Sequence, residues 1–209
     1  MANMQLGLGI TYRKYGRHVE SLAALNESQE IFEQRQQLIG LIGTLRAEAR
    51  TFMDMNDHEQ AIAVAARALS LSEKDELVQQ SAYCHEVLIE AYGGDQIDLA
   101  RSQFEQATKL YQSLGQELDR ADAALEIAKI ERDSGDEVVS KNLLEQALAV
   151  YERFNRPVKI AKTLRELGIY YQKIGDQAQA REKLQQALSL FQSMEMEVES
   201  EKTLPELDR

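Results

Sequence analysis

Residues 164–188 read LRELGIYYQKIGDQAQAREKLQQAL. Leu164, Leu167 and Tyr171 lie before Gly175-Asp176, and Ala180, Leu184, Ala187 and Leu188 lie after it. Their spacing is helical on both sides, which predicts two helices joined by a tight turn. Gly168 and Ala180 are small where the paired helices should cross; a larger residue there would force the backbones apart. Asp176 is placed to accept hydrogen bonds from the free N–H groups of the second helix, with Gln179 three residues on as a weaker form of capping box. Asp57 and Asp136 hold the equivalent place elsewhere.

The same plan recurs along the chain. Ser28, Ala68, Ala107, Ala147 and Ala187 are separated by 40, 39, 40 and 40 residues. Ser21, Ala61, Ala100, Ser140 and Ala180 keep that beat, and so do Ile39, Val78, Leu118, Val158 and Val198. A period that survives in three columns marks a repeat array, in which each unit buries its apolar face only by stacking on the next. The expected repeats are 1–36, with a shortened first helix, then 37–75, 76–115, 116–155 and 156–195. Residues 196–209 read as the start of a sixth repeat or a capping helix.

Composition agrees. The 209 residues include two Pro, eleven Gly and no Trp, and the abundant Ala, Leu, Glu, Gln and Arg favour helix, so the expected class is all-α. A net charge of −11 opposes binding to nucleic acid or an anionic membrane face, and apolar stretches are broken well short of the ~20 residues of a membrane span. A lone cysteine, Cys84, and no secretory leader pattern point to a reducing cytoplasm.

The residues of the fifth repeat, Leu167, Gly168, Tyr171, Ala180, Leu184 and Ala187, resemble the tetratricopeptide repeat pattern. So do Leu8, Gly9, Tyr12, Ser21, Leu25 and Ser28 in the first. Ala49, Leu88 and Ala128 replace the glycine, and Glu131 stands where an aromatic is expected. The resemblance covers residues 3 to 195 and implies a right-handed α-solenoid of the longer-helix variant found in bacterial regulators and adaptors. A further column, Phe32, Ser72, Tyr111, Tyr151 and Phe191, reads as wedges between neighbouring repeats.

The first helix of each repeat should open ten residues before the Gly9 position, and for the first repeat that place is not on the chain. Residues 197–207 match residues 157–167 at six of eleven positions, with Pro205 in place of Arg165. A segment of a longer protein is expected; the other possibility is a free-standing protein whose ends pair in a dimer. Proline removes a helical hydrogen bond, so the last helix should end or kink near Leu204.

Little in the sequence carries chemistry. His18, His58 and His85 lie in different repeats, and Cys84 has no second cysteine with which to build a zinc site. Cys84 and His85 point about 100° apart on a helix, so a half-buried structural cysteine is expected rather than a nucleophile. Gly93-Gly94-Asp95 lacks the Lys-Ser or Lys-Thr of a phosphate loop and reads as a turn. No enzyme, metal or cofactor is expected.

In tetratricopeptide arrays the first helices line a concave groove. Transferred by phase, the resemblance selects twenty inner positions, of which seven are basic (Arg13, Arg46, Arg50, Lys129, Arg132, Lys162 and Arg165) and one, Asp122, is acidic. Across the whole chain only 24 of 59 charged residues are basic. With Leu6, Ile10, Met53, His85, Ile89, Tyr92, Leu125 and Ile169 among them, these imply a basic groove for an acidic, partly apolar segment. Alternatively some of the arginines cover apolar neighbours or pair with Glu48, Glu86 or Glu166 along the helices. Chaperone-tail binding is disfavoured, since the groove positions hold Ile10, Arg50, Leu6 and Arg46 with no asparagine partner; a pheromone receptor's asparagines are represented only by Asn3.

The expected function is therefore a non-enzymatic protein or peptide interaction domain, the docking or sensory part of a larger bacterial regulatory protein. Its rivals are a peptide-sensing regulator whose solenoid pitch changes with ligand, and a structural homo-oligomer joined through its terminal repeats.

Overall fold

The computed structural model describes residues 1–207; Asp208 and Arg209, the last two of the expected sixth-repeat segment, lie outside the described residues. Among the described residues every regular element is helical. The chain divides into two compact units, Met1–Gly115 and Gln116–Arg209. The first contains α1 (Ala2–Lys14), α2 (His18–Gln34), α3 (Leu38–Asp54), α4 (His58–Lys74), α5 (Val78–Tyr92) and α6 (Ile97–Ser113). The second contains α7 (Glu117–Ser134), α8 (Glu137–Arg153), α9 (Pro157–Lys173), α10 (Gln177–Ser193) and α11 (Glu197–Leu207). Within each unit, odd-numbered first helices pair with the even-numbered second helices that follow them, and each second helix packs on the next first helix. First helices also touch in succession, α1 with α3, α3 with α5, and α7 with α9. This is the all-α solenoid arrangement expected from the sequence.

Most turns share one device. The middle residue of a three-residue connection takes a left-handed conformation: Gly16, Gln36, Asn56, Glu76, Asn155, Gly175 and Glu195 have φ of 71, 53, 60, 53, 50, 81 and 56°. The next N–H then bonds a carbonyl five residues back, as in Gln37 to Phe32, Arg156 to Tyr151 and Met196 to Phe191, each at 2.9 Å. Such bonds satisfy carbonyls that a helix end leaves open. The column Phe32, Ser72, Tyr111, Tyr151 and Phe191 is buried throughout, so these residues do wedge between elements. Asp57, Asp136 and Asp176 cap their helices as anticipated, accepting from Gln60 N–H (3.1 Å), Val138 and Val139 N–H (2.8 and 3.1 Å), and Gln179 N–H (3.1 Å). The reciprocal half of the capping box does not form, because the Asp176 N–H bonds the Tyr171 carbonyl at 2.9 Å.

The small columns mark close crossings. A Cβ on Gly168 would stand 2.5 Å from Leu184 Cγ, and one on Gly9 would stand 2.6 Å from Leu25 Cγ. In the second repeat Ala49 replaces the glycine, and the opposing leucine becomes Ala65; the two share one core cluster. Ser21 and Ser140 donate to the carbonyls of Gly9 and Ala128 at 2.8 and 2.7 Å, pinning the same crossing in both units.

Four expectations change. The steps of 39 from Ile39 to Val78 and from Ala49 to Leu88 imply a residue lost ahead of α5, but α3 and α5 open 40 residues apart, at Leu38 and Val78, while α4 and α6 open 39 apart, at His58 and Ile97. The loss therefore lies at the Gly93-Gly94 turn, and Ile89 rather than Leu88 corresponds to Ala49. Glu131, out of place as an aromatic, instead completes a turn. Helix α7 runs to Ser134, Gly135 is not left-handed, and the Glu131 carboxylate accepts the Asp136 N–H at 2.9 Å in place of a backbone carbonyl. Helix α11 continues through Pro205 to Leu207, with the Gln172 side chain donating to the Glu206 carbonyl. Cys84 is fully rather than half buried, and burial raises its thiol pKa to about 11.

Candidate functional site

The first-helix faces hold side chains that sit neither in the core nor fully in water. In the first unit, Arg13 of α1 pairs with Asp54 of α3 (Nη1 to Oδ2, 3.1 Å). Arg50 of α3 reaches α5, where Nη2 lies 2.5 Å from Glu90 Oε1 and 3.5 Å from Glu86 Oε1. Its Nε is 3.2 Å from both Glu90 oxygens, so the carboxylate is gripped from the side. Among the described residues Arg46 meets no carboxylate; its guanidinium carbon lies 4.6 Å from the ring centroid of Tyr83.

In the second unit, Arg132 of α7 pairs with Glu166 of α9 at 2.5 Å and with Asp133 at 2.7 Å. Burial alone would lower the Arg132 pKa, but the Asp133 and Glu166 carboxylates outweigh it and hold the value above that of an ordinary arginine. Arg165 of α9 pairs with Glu199 of α11 at 2.6 Å, and Lys162 approaches the same carboxylate at 3.9 Å. Lys129 pairs with Glu126 on its own helix. Lys173 donates to the Arg132 carbonyl and lies 3.4 Å from Glu137.

These pairs correct the picture of an uncompensated basic face. Six of the seven expected cations already face an acid, mostly one on the next first helix, so the positive charge is neutralised locally. Phase transfer took four positions per helix and sought acids along each helix, whereas most of the partners lie across on the next first helix. Four further residues move. Ile89 is fully buried, and His85 is buried with Nδ1 2.7 Å from Gln103 Oε1 on α6. Met53 and Tyr92 pack against the cluster of Ala49, Ala65, Val87 and Leu88. The register shift in α5 explains His85 and Ile89: counting 40 from Gly43, Arg46 and Arg50 gives Tyr83, Glu86 and Glu90, the half-buried residues that α5 presents to α3. A constant period from helix to helix would have found them.

Other chemistry is sparse. Among the described residues no three His, Cys, Asp or Glu side chains are grouped to hold a metal, and no helix is long and apolar enough to cross a membrane. A cavity of about 680 Å³ in the second unit is lined by Gln172, Gln177, Arg181, Leu184 and Glu206, among others, without a nucleophile and base in hydrogen-bond reach.

The tetratricopeptide repeat family model matches residues 119–193, within the second unit, a span that contains the Leu167–Ala187 pattern. Comparison with curated protein sequences found no match. Among solved structures, BtubC (BKLC) from P. vanneervenii is similar with a TM-score of 0.72 and 17% identity, over 97% of this chain and 81% of its own. The Rap conjugation gene regulator of the plasmid pLS20, in complex with the Phr* peptide, gives 0.73 at 15% identity over 92% of this chain and 52% of its own. Aspartyl phosphate phosphatase F from Bacillus subtilis gives 0.71 at 13% identity, over 99% and 58%. At these identities the likeness establishes a shared fold. The chain spans little more than half the length of the last two.

Proposed function

We propose that this chain is a non-enzymatic interaction module that holds a protein or peptide segment, acidic and partly apolar, on its first-helix faces. It would serve as the docking or sensory part of a larger bacterial, cytoplasmic regulator. The observation that carries this reading is the recurrence of half-buried arginine–carboxylate pairs between successive first helices, interspersed with the half-buried Leu6, Ile10 and Ile169. A partner's carboxylate that takes the place of an internal one keeps the arginine paired while the displaced acid turns to solvent, so the exchange leaves no half-buried cation uncompensated. The peptide held by the pLS20 Rap regulator, a protein of similar fold, supports a peptide as the kind of partner.

The test is fluorescence anisotropy with labelled acidic–apolar peptides against the whole chain at low and high salt. Binding that weakens with salt and with Arg50→Glu or Arg165→Glu supports the reading. No binding by any peptide, or binding indifferent to both variants, contradicts it. The same Rap likeness favours a second reading, a peptide-sensing regulator, which requires small-angle scattering to change when peptide binds. Exposed Met4 and Leu8 on α1 offer a surface for self-association, and sedimentation at rising concentration tests that.

A further inference from the structure

Arg46 differs from the other expected cations of the first-helix faces. Arg13, Arg50, Lys129, Arg132, Lys162 and Arg165 each hold a carboxylate, whereas Arg46 makes no ion pair among the described residues. Its Nε is buried with no acceptor. The ring beneath it is fixed, since Tyr83 Oη accepts from Gln79 at 3.0 Å and the Tyr111 ring stands 6.0 Å away. Burial, and after it the Arg50 charge, disfavour the charged form of Arg46, and its acidic neighbours offset this only in part. A guanidinium does not escape by losing its proton, so a poorly compensated cation remains.

Beside it the surface is open. Gly43 lies on the same face of α3 one turn earlier, and a Cβ there would find only Leu6 Cδ2 within contact range, at 3.9 Å. The face continues past Gly43 to Leu6 on one side and to the Arg50–Glu90 pair on the other. A chain can therefore run past Arg46 in both directions, which suits the interior of a segment better than its terminus.

Building on the interaction reading above, we propose that Arg46 anchors the partner in the first unit by taking the side-chain carboxylate of an Asp or Glu within a segment that crosses Gly43. Charge complementarity sets the occupant. Nη1 and Nη2 of Arg46, not buried and without an acceptor among the described residues, match a carboxylate in a two-point hydrogen bond, while the buried Nε lies out of a partner's reach. The free chain keeps an unpaired cation where neighbouring positions have an internal acid, the kind of local cost that binding surfaces carry.

The test immobilises the whole chain and uses a random dodecapeptide display library as probe. The wild type is expected to select peptides with one fixed acidic position among apolar ones. Arg46→Gln should bind those peptides about tenfold more weakly. Changing the fixed acid to its amide should weaken binding to the wild type by the same factor, and hardly affect Arg46→Gln. Without peptide, Arg46→Leu should melt at or above the wild-type temperature; a drop of several degrees would make Arg46 a packing residue on Tyr83 and overturn the proposal. Selection of the same peptides by both proteins, or of peptides with no fixed acid, overturns the role of Arg46 and leaves the interaction reading standing. No selected peptide at all overturns both.

Discussion

Arg50 and Glu90 stand one period apart on α3 and α5, and the arginine Nη2 meets the carboxylate at 2.5 Å. Arg132 with Glu166 and Arg165 with Glu199 repeat the relationship in the second unit, at a sequence separation of 34. The first helices thus face one another through charge while the second helices join them through apolar contact. At these positions, unlike at Arg46, a partner must exchange ion pairs, which favours short, specific contacts over long-range attraction.

The crossing at Gly168 makes the packing account testable. Gly168→Ala should cost about 1–3 kcal/mol, because its Cβ would overlap Leu184. Leu184→Ala alone should cost about 2–5 kcal/mol. Together they reproduce the Ala49–Ala65 pair of the second repeat, so the double variant should lose less than the sum of the two. Strict additivity in urea melts would contradict the assigned crossing.

Glu131 is expected to matter through one amide. Glu131→Ala leaves the Asp136 N–H without its carboxylate acceptor and should cost roughly 1–3 kcal/mol. Glu131→Gln keeps an acceptor and should cost less. Hydrogen exchange at Asp136 should accelerate in the alanine variant first; unchanged protection there would show that another group serves the amide.

Acid should weaken the second unit. Asp133 is held below the ordinary carboxylate range by the hydrogen bond from Arg132. Burial would raise Glu199, but the hydrogen bond and charge of Arg165 lower it overall. Such groups stabilise the fold above their unfolded pKa values and lose that contribution as pH falls through the folded ones. The melting temperature should therefore fall below about pH 4, with a gentler slope in Glu199→Gln. Glu48 has the opposite sign: burial raises its pKa, so its charge is a cost at neutral pH that protonation removes. Glu48→Gln should raise the melting temperature at neutral pH and change little in acid.

Cys84 should behave as a core atom. Its thiol, pushed up to about 11 by burial, should react with disulfide reagents only when the first unit opens. Reaction should thus track denaturant unfolding; rapid reaction in buffer would contradict the burial of α5.

Much of this fold was legible because a repeat shows its physics several times over. The small columns at Ser21 and Ser28 predicted the crossings, and Asp57, Asp136 and Asp176 predicted helix starts. The face was harder to read. Its exposure depends on rotation about the helix axis, and one residue's error in placing the third-repeat deletion turned α5 by about 100° and offered His85 and Ile89 in place of Tyr83, Glu86 and Glu90. Ion pairing lay further out of reach, because Asp54, Glu90 and Glu199 are partners only once neighbouring helices are stacked. Nor could Glu131 be read from its column, since its role arises from a turn one residue shorter than its counterparts.

The central claim is that a partner lies on the first-helix faces. Hydrogen–deuterium exchange of the whole chain with and without a library-selected peptide, joined to short-range cross-linking from that peptide, tests it directly. The account predicts cross-links to α1, α3 and α5 or to α7 and α9, with slower exchange in those helices. Cross-links confined to the outward surfaces of α2, α4, α6, α8 and α10 would contradict it.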